Sequence, residues 1–259
     1  MSRTWGPLAA WGLFTILPAP VVEEITPDIA RRALHAMPLV GLGLGVMAGA
    51  AATLVTLLNG GQPLVMIAGL AVLAMSTGCL HLDGLADTAD GLGSRKPAEQ
   101  ALEIMRQSDI GPMGVTAIIL VLALEIAAAA SPHLGGWHGV WVLVTLPMVA
   151  RVAPLAASGR WVPSARKEGF GALFTGLTSP FTLAVVMAAV LVVSVVSGLW
   201  LFGPHTGIAA AIACLAAWGF EAAWQRHIVM RLHGVTGDVF GSLVEMTGLV
   251  YLLVLAVGA

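Results

Sequence analysis

The chain has 259 residues, 58% of them hydrophobic and 10% charged, with a formal net charge of −2 and a mean hydropathy of +0.92. So few charges cannot coat a water-soluble globule of this size, which excludes that class and leaves an integral membrane protein whose first partner is the lipid bilayer. A faintly acidic chain without a basic cluster also excludes nucleic acid, whose binding surfaces are strongly positive.

In chain order, Arg3 precedes an apolar stretch that Gly6, Pro7 and Gly12 interrupt and Pro18-Ala19-Pro20 closes. The interruptions argue against a cleaved signal peptide. They favour a short interfacial or re-entrant helix within residues 1–20, carrying Trp5, Trp11 and Phe14. Apolar runs long enough for the hydrocarbon core then recur, predicting transmembrane helices near 37–58, 63–82, 112–130, 139–157, 180–202, 206–225 and 242–258. Pro97 opens a further short helix through Met105, suited to the membrane interface. The expected fold is all-α, a polytopic helical membrane protein of about seven transmembrane helices with short interfacial helices. It forms a single integral domain over residues 1–259. Cys79 and Cys214 fit neither a zinc nor a disulfide spacing and read as packing residues.

The basic residues between spans test this layout, because Lys and Arg stay on the cytoplasmic side during insertion. Arg3, Arg31 and Arg32 precede the first span; Arg95, Lys96 and Arg106 follow the second; Arg160, Arg166 and Lys167 follow the fourth; Arg226 and Arg231 follow the sixth. The loops near 59–62, 131–138 and 203–205 carry none. An odd number of spans then puts the N-terminus in the cytoplasm and the C-terminus outside. Asp83, Asp87, Asp90, Asp109, Glu168 and Asp238 share the basic side. Chemistry is therefore expected at the cytoplasmic face of the cell (inner) membrane.

The second span runs into Asp83-Gly84-Leu85-Ala86-Asp87-Thr88-Ala89-Asp90-Gly91. On a helix Asp83, Asp87 and Asp90 lie at i, i+4 and i+7, within an arc of roughly 60°. Like charges so close repel unless a cation sits among them, and all-oxygen ligation suits Mg²⁺ first and Mn²⁺ second. Gly84, Ala86, Ala89 and Gly91 keep the helix slim, so that a phosphorylated group or a neighbouring helix can come close. A solvated helix end is the alternative, and a cation channel or transporter could use the same acids.

The string from His81 to Gly91 resembles the signature of the cobalamin synthase family, the adenosylcobinamide-GDP ribazoletransferases. Three further blocks agree in order: Glu103-Ile104-Met105-Arg106 leading to Gly111-Pro112-Met113-Gly114, Ala165-Arg166-Lys167-Glu168-Gly169-Phe170-Gly171, and Gly234-Val235-Thr236-Gly237-Asp238-Val239-Phe240-Gly241. The chain departs from the family pattern at Gln107, where many members have an acid, and at His233, where a glycine is common. The aspartate stripe is also similar, more loosely, to that of the CDP-alcohol phosphotransferases, but Asp87 stands where those have Arg.

The resemblance implies an integral membrane enzyme that uses Mg²⁺ to join adenosylcobinamide-GDP with α-ribazole or its 5′-phosphate, releasing GMP. Asp83, Asp87 and Asp90 would hold the metal, with Asp238 and Asp109 as further candidate ligands; the alternative for Asp238 is a helix N-cap. The base would be an aspartate, Asp90 first, or His81. Arg106, Arg166, Lys167 and Arg231 are candidates for phosphate contacts, and Gly84 and Gly91 for room around the substrate. Arg151 and Glu221, charges at membrane depth, are expected to find partners, either each other or, for Arg151, the aspartates. Glu125 has no assigned role. The rivals are a CDP-alcohol phosphotransferase of phospholipid synthesis and a divalent-cation transporter, the latter disfavoured because the acids gather at one face. Homo-oligomerisation is left open.

Overall fold

The computed structural model describes residues 6–22, 24–128 and 130–258. The expectations for Arg3 and Trp5 therefore lie outside the described residues. The remainder is helical, with no β-strand among the described residues, only two isolated bridges.

Two short helices open the chain, α1 (Gly6–Phe14) and α2 (Pro27–His35). Thr26 stops α2 from fraying: its hydroxyl accepts the Ile29 N–H at 3.3 Å and Pro27 fills the first helical position. Then follow α3 (Met37–Leu57), α4 (Gln62–Ser76), α5 (Leu80–Gly93), α6 (Ala98–Ile104) and α7 (Pro112–Ala128). After them come α8 (Trp137–Ala150), α9 (Ala153–Ala157), α10 (Phe170–Phe174), α11 (Pro180–Phe202), α12 (Pro204–Leu232) and α13 (Gly237–Ala256).

Five segments are long and apolar enough to cross a bilayer alone: α3, α8 continued by α9, α11, α12 and α13. The other two expected spans differ. The third, α7, has 17 residues, near the lower limit for a crossing. The second does not run from 63 to 82. It breaks after Ser76, and α5 leaves α4 at 86°. Gly78 and Cys79 both adopt left-handed backbone, φ +59° and +60°, which ends one helix and re-aims the next. The aspartate motif therefore occupies a separate helix across the bundle, not the end of a transmembrane one. Counting α4 with α5 as one crossing brings the total to six.

Two other boundaries move. α12 continues through Arg226 and Arg231 to Leu232, so those residues ride on a projecting helix and not on a loop. At 29 residues it is about 43 Å long, well beyond the roughly 30 Å of hydrocarbon. α13 starts at Gly237, five residues earlier than the 242 expected, which places Asp238 in its first turn.

Packing follows the small residues. Gly41, Gly45 and Gly49 on α3 face α8 so closely that an added Cβ would lie 2.2 Å from the Pro147 carbonyl oxygen, 2.1 Å from that of Val144 and 2.6 Å from a Val144 methyl. Without a hydrophobic drive in lipid, such close backbone approach is what holds helices together. α13 is the central strut, touching α5, α7, α8 and α12. One buried core lies among the long helices around Trp141, Leu143, Trp218 and Tyr251. A second gathers α1, α2, α6 and α10 around Phe14, Leu34, Phe174 and Phe240. The basic segments 27–35, 95–106 and 160–167 adjoin this second core, so they share one end of the bundle.

Candidate active site

Where α5 crosses α13, Gly84 abuts the first turn of α13: a Cβ there would lie 2.5 Å from the Asp238 carbonyl oxygen and 3.1 Å from Gly241 Cα. This contact lays the aspartate face of α5 beside Asp238. Asp83, Asp90 and Asp238 all act electrostatically on Asp87. Thr236 caps α13, its hydroxyl accepting the Val239 N–H at 3.3 Å and donating to Asp238 Oδ2 at 3.1 Å. The N-cap role considered for Asp238 thus belongs to Thr236, and the Asp238 carboxylate is free to face α5.

One cation enters this acid cluster. The 158–169 segment is pinned to the α12–α13 junction by backbone hydrogen bonds, Ala165 N–H to Val235 O and Val235 N–H to Pro163 O, both 3.0 Å. Gly234 permits it, since a Cβ there would lie 2.4 Å from the Ala165 nitrogen. Arg166 is thereby carried over the crossing: it lies 3.7 Å from Asp238 Oδ2 and donates to the Leu102 carbonyl on α6 at 2.9 Å. Burial pulls the Arg166 guanidinium below its ordinary pKa while the Asp238 and Asp87 carboxylates work in the opposite direction and Arg106 adds to the lowering. Arg106, Arg166 and Lys167 line one groove of about 380 Å³ together with Glu99, Glu103 and Glu168. Arg231 does not join them; it lies in the last turn of α12, outside this groove.

Asp90 has a different task from its neighbours. Its two carboxylate oxygens accept the Gly111 N–H at 2.7 Å and the Gly114 N–H at 2.8 Å, capping the start of α7 from another helix. Gly111 and Gly114 leave space for it: a Cβ would lie 2.4 Å and 2.5 Å from its oxygens. The Gly-Pro-Met-Gly block is thus a helix start built around a carboxylate. Both oxygens of Asp90, the aspartate expected first as the base, are thus engaged by backbone N–H groups of another helix.

The space at Gly84 and Gly91 goes to helices and not to a substrate. Gly91 is covered by Met105, whose Sδ would lie 2.8 Å from an added Cβ. Asp109 stands exposed, bonded only to Ser108 at 3.3 Å among the described residues, and is not drawn into the cluster. His81, 6% exposed, lies behind Asp83 between two cavities. One, of about 170 Å³, is walled by Phe14, Phe170, Phe174 and Phe240 and has Asp83 and Asp238 in its lining. The other, of about 50 Å³, lies among the long helices and is lined by Arg151, Glu125 and Glu245.

That second cavity corrects the pairing expected for Arg151. Its acidic neighbour is Glu245, and Glu221 borders a separate cavity beside Trp218 and Arg226. Glu245 was missed from sequence, although it lies seven residues after Asp238 and so on the same face of α13. The acids do not all gather at one end, so that argument against a cation pathway fails.

No group of three or more His, Cys, Asp or Glu side chains converges to metal-ligand distance among the described residues. The donor chemistry nevertheless fits a hard divalent ion: Asp83, Asp87 and Asp238 offer only carboxylate oxygens, and Arg166 is the one cation seen in contact with them among the described residues.

Fold and site together define a polytopic membrane protein with a carboxylate cluster and, beside it, a groove carrying Arg106, Arg166 and Lys167 at one end of its bundle. The Cobalamin-5-phosphate synthase family profile matches residues 6–256, and the chain belongs to that family. It is 36% identical to an adenosylcobinamide-GDP ribazoletransferase of Frankia casuarinae over 95% of this chain and 92% of the relative. It is 35% identical to one of Klebsiella pneumoniae over 92% and 93%, and 33% identical to one of Geotalea daltonii over 93% and 92%. No solved structure matches the chain.

Proposed function

We propose that the chain is an adenosylcobinamide-GDP ribazoletransferase, a transferase of cobalamin biosynthesis. It moves the cobinamide-phosphate group of adenosylcobinamide-GDP onto a ribose hydroxyl of α-ribazole, or of its 5′-phosphate, with release of GMP. The observation that carries the reading is the crossing of α5 and α13, where the family's aspartate motif meets Asp238 and Arg166.

The reaction breaks the bond between the cobinamide-bearing phosphorus and the oxygen that leaves with GMP. It forms a bond from that phosphorus to the ribazole oxygen and removes one proton from the hydroxyl. Little covalent work falls to the protein; charge neutralisation and alignment carry most of the rate. Arg166 is placed to hold a pyrophosphate oxygen against the acid cluster, with Arg106 and Lys167 on the groove beside it. Asp83 is the exposed member of the cluster, its carboxylate has no hydrogen bond to a protein group among the described residues, and it lines the aromatic cavity. It is the group to take the proton. Asp87 and Asp238 are the residues to hold Mg²⁺, with Mn²⁺ as its substitute. When bound, that ion supplies positive charge against the pyrophosphate. The basic end of the bundle supports a cytoplasmic N-terminus and a site facing the cytoplasm from the inner membrane.

Complementation tests the reading. A bacterium that lacks its own ribazoletransferase and is fed cobinamide and the lower-ligand base should regain cobalamin-dependent growth with this gene and not with its D87N variant. Failure of the wild-type chain, once shown to be inserted, would overturn the assignment.

A further inference from the structure

The aromatic cavity beside the acid cluster shares no lining residue with the groove that carries Arg106, Arg166 and Lys167. Its walls come from elements far apart in sequence. Phe14 on α1 meets Phe170 edge-on at 5.7 Å between ring centroids, and Phe170 lies 4.6 Å from Phe174 on α10. Phe240 on α13 closes another side. Asp83, Asp238 and His81 are the titratable groups in its lining. The cavity is thus an apolar slot with its acids on the side of the α5–α13 crossing.

Resting on the proposed function, we infer that this slot holds the flat, uncharged heterocycle of the nucleoside acceptor, with the sugar hydroxyl directed at Asp83. Two bases compete for it, that of the acceptor and the guanine of the donor. Guanine carries donors and acceptors around its edge, and burying them against phenylalanine would leave them unpaired. A dimethylbenzimidazole has methyl groups along one edge and a single free ring nitrogen. Aromatic walls suit such a ring, which stacks without needing edge partners. The location agrees with the chemistry: a base in the slot puts its ribose beside Asp83, while the separate groove with Arg106, Arg166 and Lys167 is left for the donor's phosphates and guanosine. α1 and α10, too short to cross the membrane, then act as the walls of a specificity pocket.

Binding and turnover separate the claims. Purified protein in lipid nanodiscs is titrated with α-ribazole, whose benzimidazole fluorescence reports binding, with guanosine and GDP as competitors. Phe170→Ala, at a site 40% exposed, removes one wall with little threat to folding. Leu13→Trp fills the slot from the α1 side. Both variants should bind α-ribazole at least about tenfold more weakly, in line with loss of one stacking contact. KM for α-ribazole should rise in F170A while KM for adenosylcobinamide-GDP stays within about twofold. Unchanged ribazole affinity in both variants, displacement of ribazole by guanosine, or a rise in the donor KM alone would overturn the pocket assignment even if the enzyme turns over. Weakened binding in both variants without any GMP release in the wild type would keep the pocket and overturn the proposed function.

Discussion

Asp90→Asn isolates the structural part of the aspartate motif. The native carboxylate accepts the Gly111 and Gly114 N–H groups at 2.7 and 2.8 Å. Hydrogen bonds to a charged partner contribute about 1.5–3 kcal/mol each, and neutral ones about 1 kcal/mol. Asparagine keeps one acceptor and turns an N–H₂ toward the other backbone N–H. One bond is weakened and one is replaced by a donor–donor clash. With the site half-buried, the net cost is about 2–3 kcal/mol, concentrated on the α5–α7 contact. For a chain of this size that corresponds to a fall of about 4–10 °C in apparent melting temperature. Asp83→Asn behaves in the opposite way: it removes one of several mutually repelling charges, so the melting temperature holds or rises while turnover falls at least about a hundredfold. Thermal unfolding in nanodiscs, run beside a GMP-release assay, distinguishes them. Asp90→Asn melting within 1 °C of wild type, or Asp83→Asn as the destabilised variant, would refute the division of roles.

Three further outcomes follow from the packing and charges. Gly45→Ala forces a Cβ to 2.1 Å from the Val144 carbonyl oxygen and should cost about 1–3 kcal/mol, visible as earlier thermal unfolding without change in KM. Arg151→Met leaves Glu245 buried without its cation and should cost about 3–5 kcal/mol; the double variant Arg151→Met with Glu245→Leu should recover much of that, as a double-mutant cycle would read. Asp109→Asn, exposed and clear of the cluster, should hold turnover within about twofold, and a large loss would return Asp109 to the site.

The membrane class, the short helices α1 and α6 and the aspartate string are legible in the sequence because each rests on local pattern: hydropathy, a proline start, a helical i, i+4, i+7 spacing. The break between α4 and α5 is not, since hydropathy continues smoothly past Ser76 and only Gly78 marks the turn. Cys79 takes left-handed backbone without any compositional sign. The role of Asp90 is hidden for a different reason. Its partners are backbone N–H groups 21 and 24 residues onward, and spacing within its own helix carries no information about them. Arg166 was one of four basic candidates of equal standing; the pairing of Val235 with Pro163 and Ala165, which no periodicity reveals, singles it out. Glu245 could have been found from its place one helical repeat after Asp238.

Single-turnover chemistry with purified protein in nanodiscs, adenosylcobinamide-GDP, α-ribazole and Mg²⁺ tests the transfer reaction itself. One GMP should be released per cobalamin formed and none without α-ribazole, and both products should be lost on chelation and return with Mg²⁺ or Mn²⁺. GMP release that ignores α-ribazole, or cobalamin formed at full rate by D87N, would contradict that reaction.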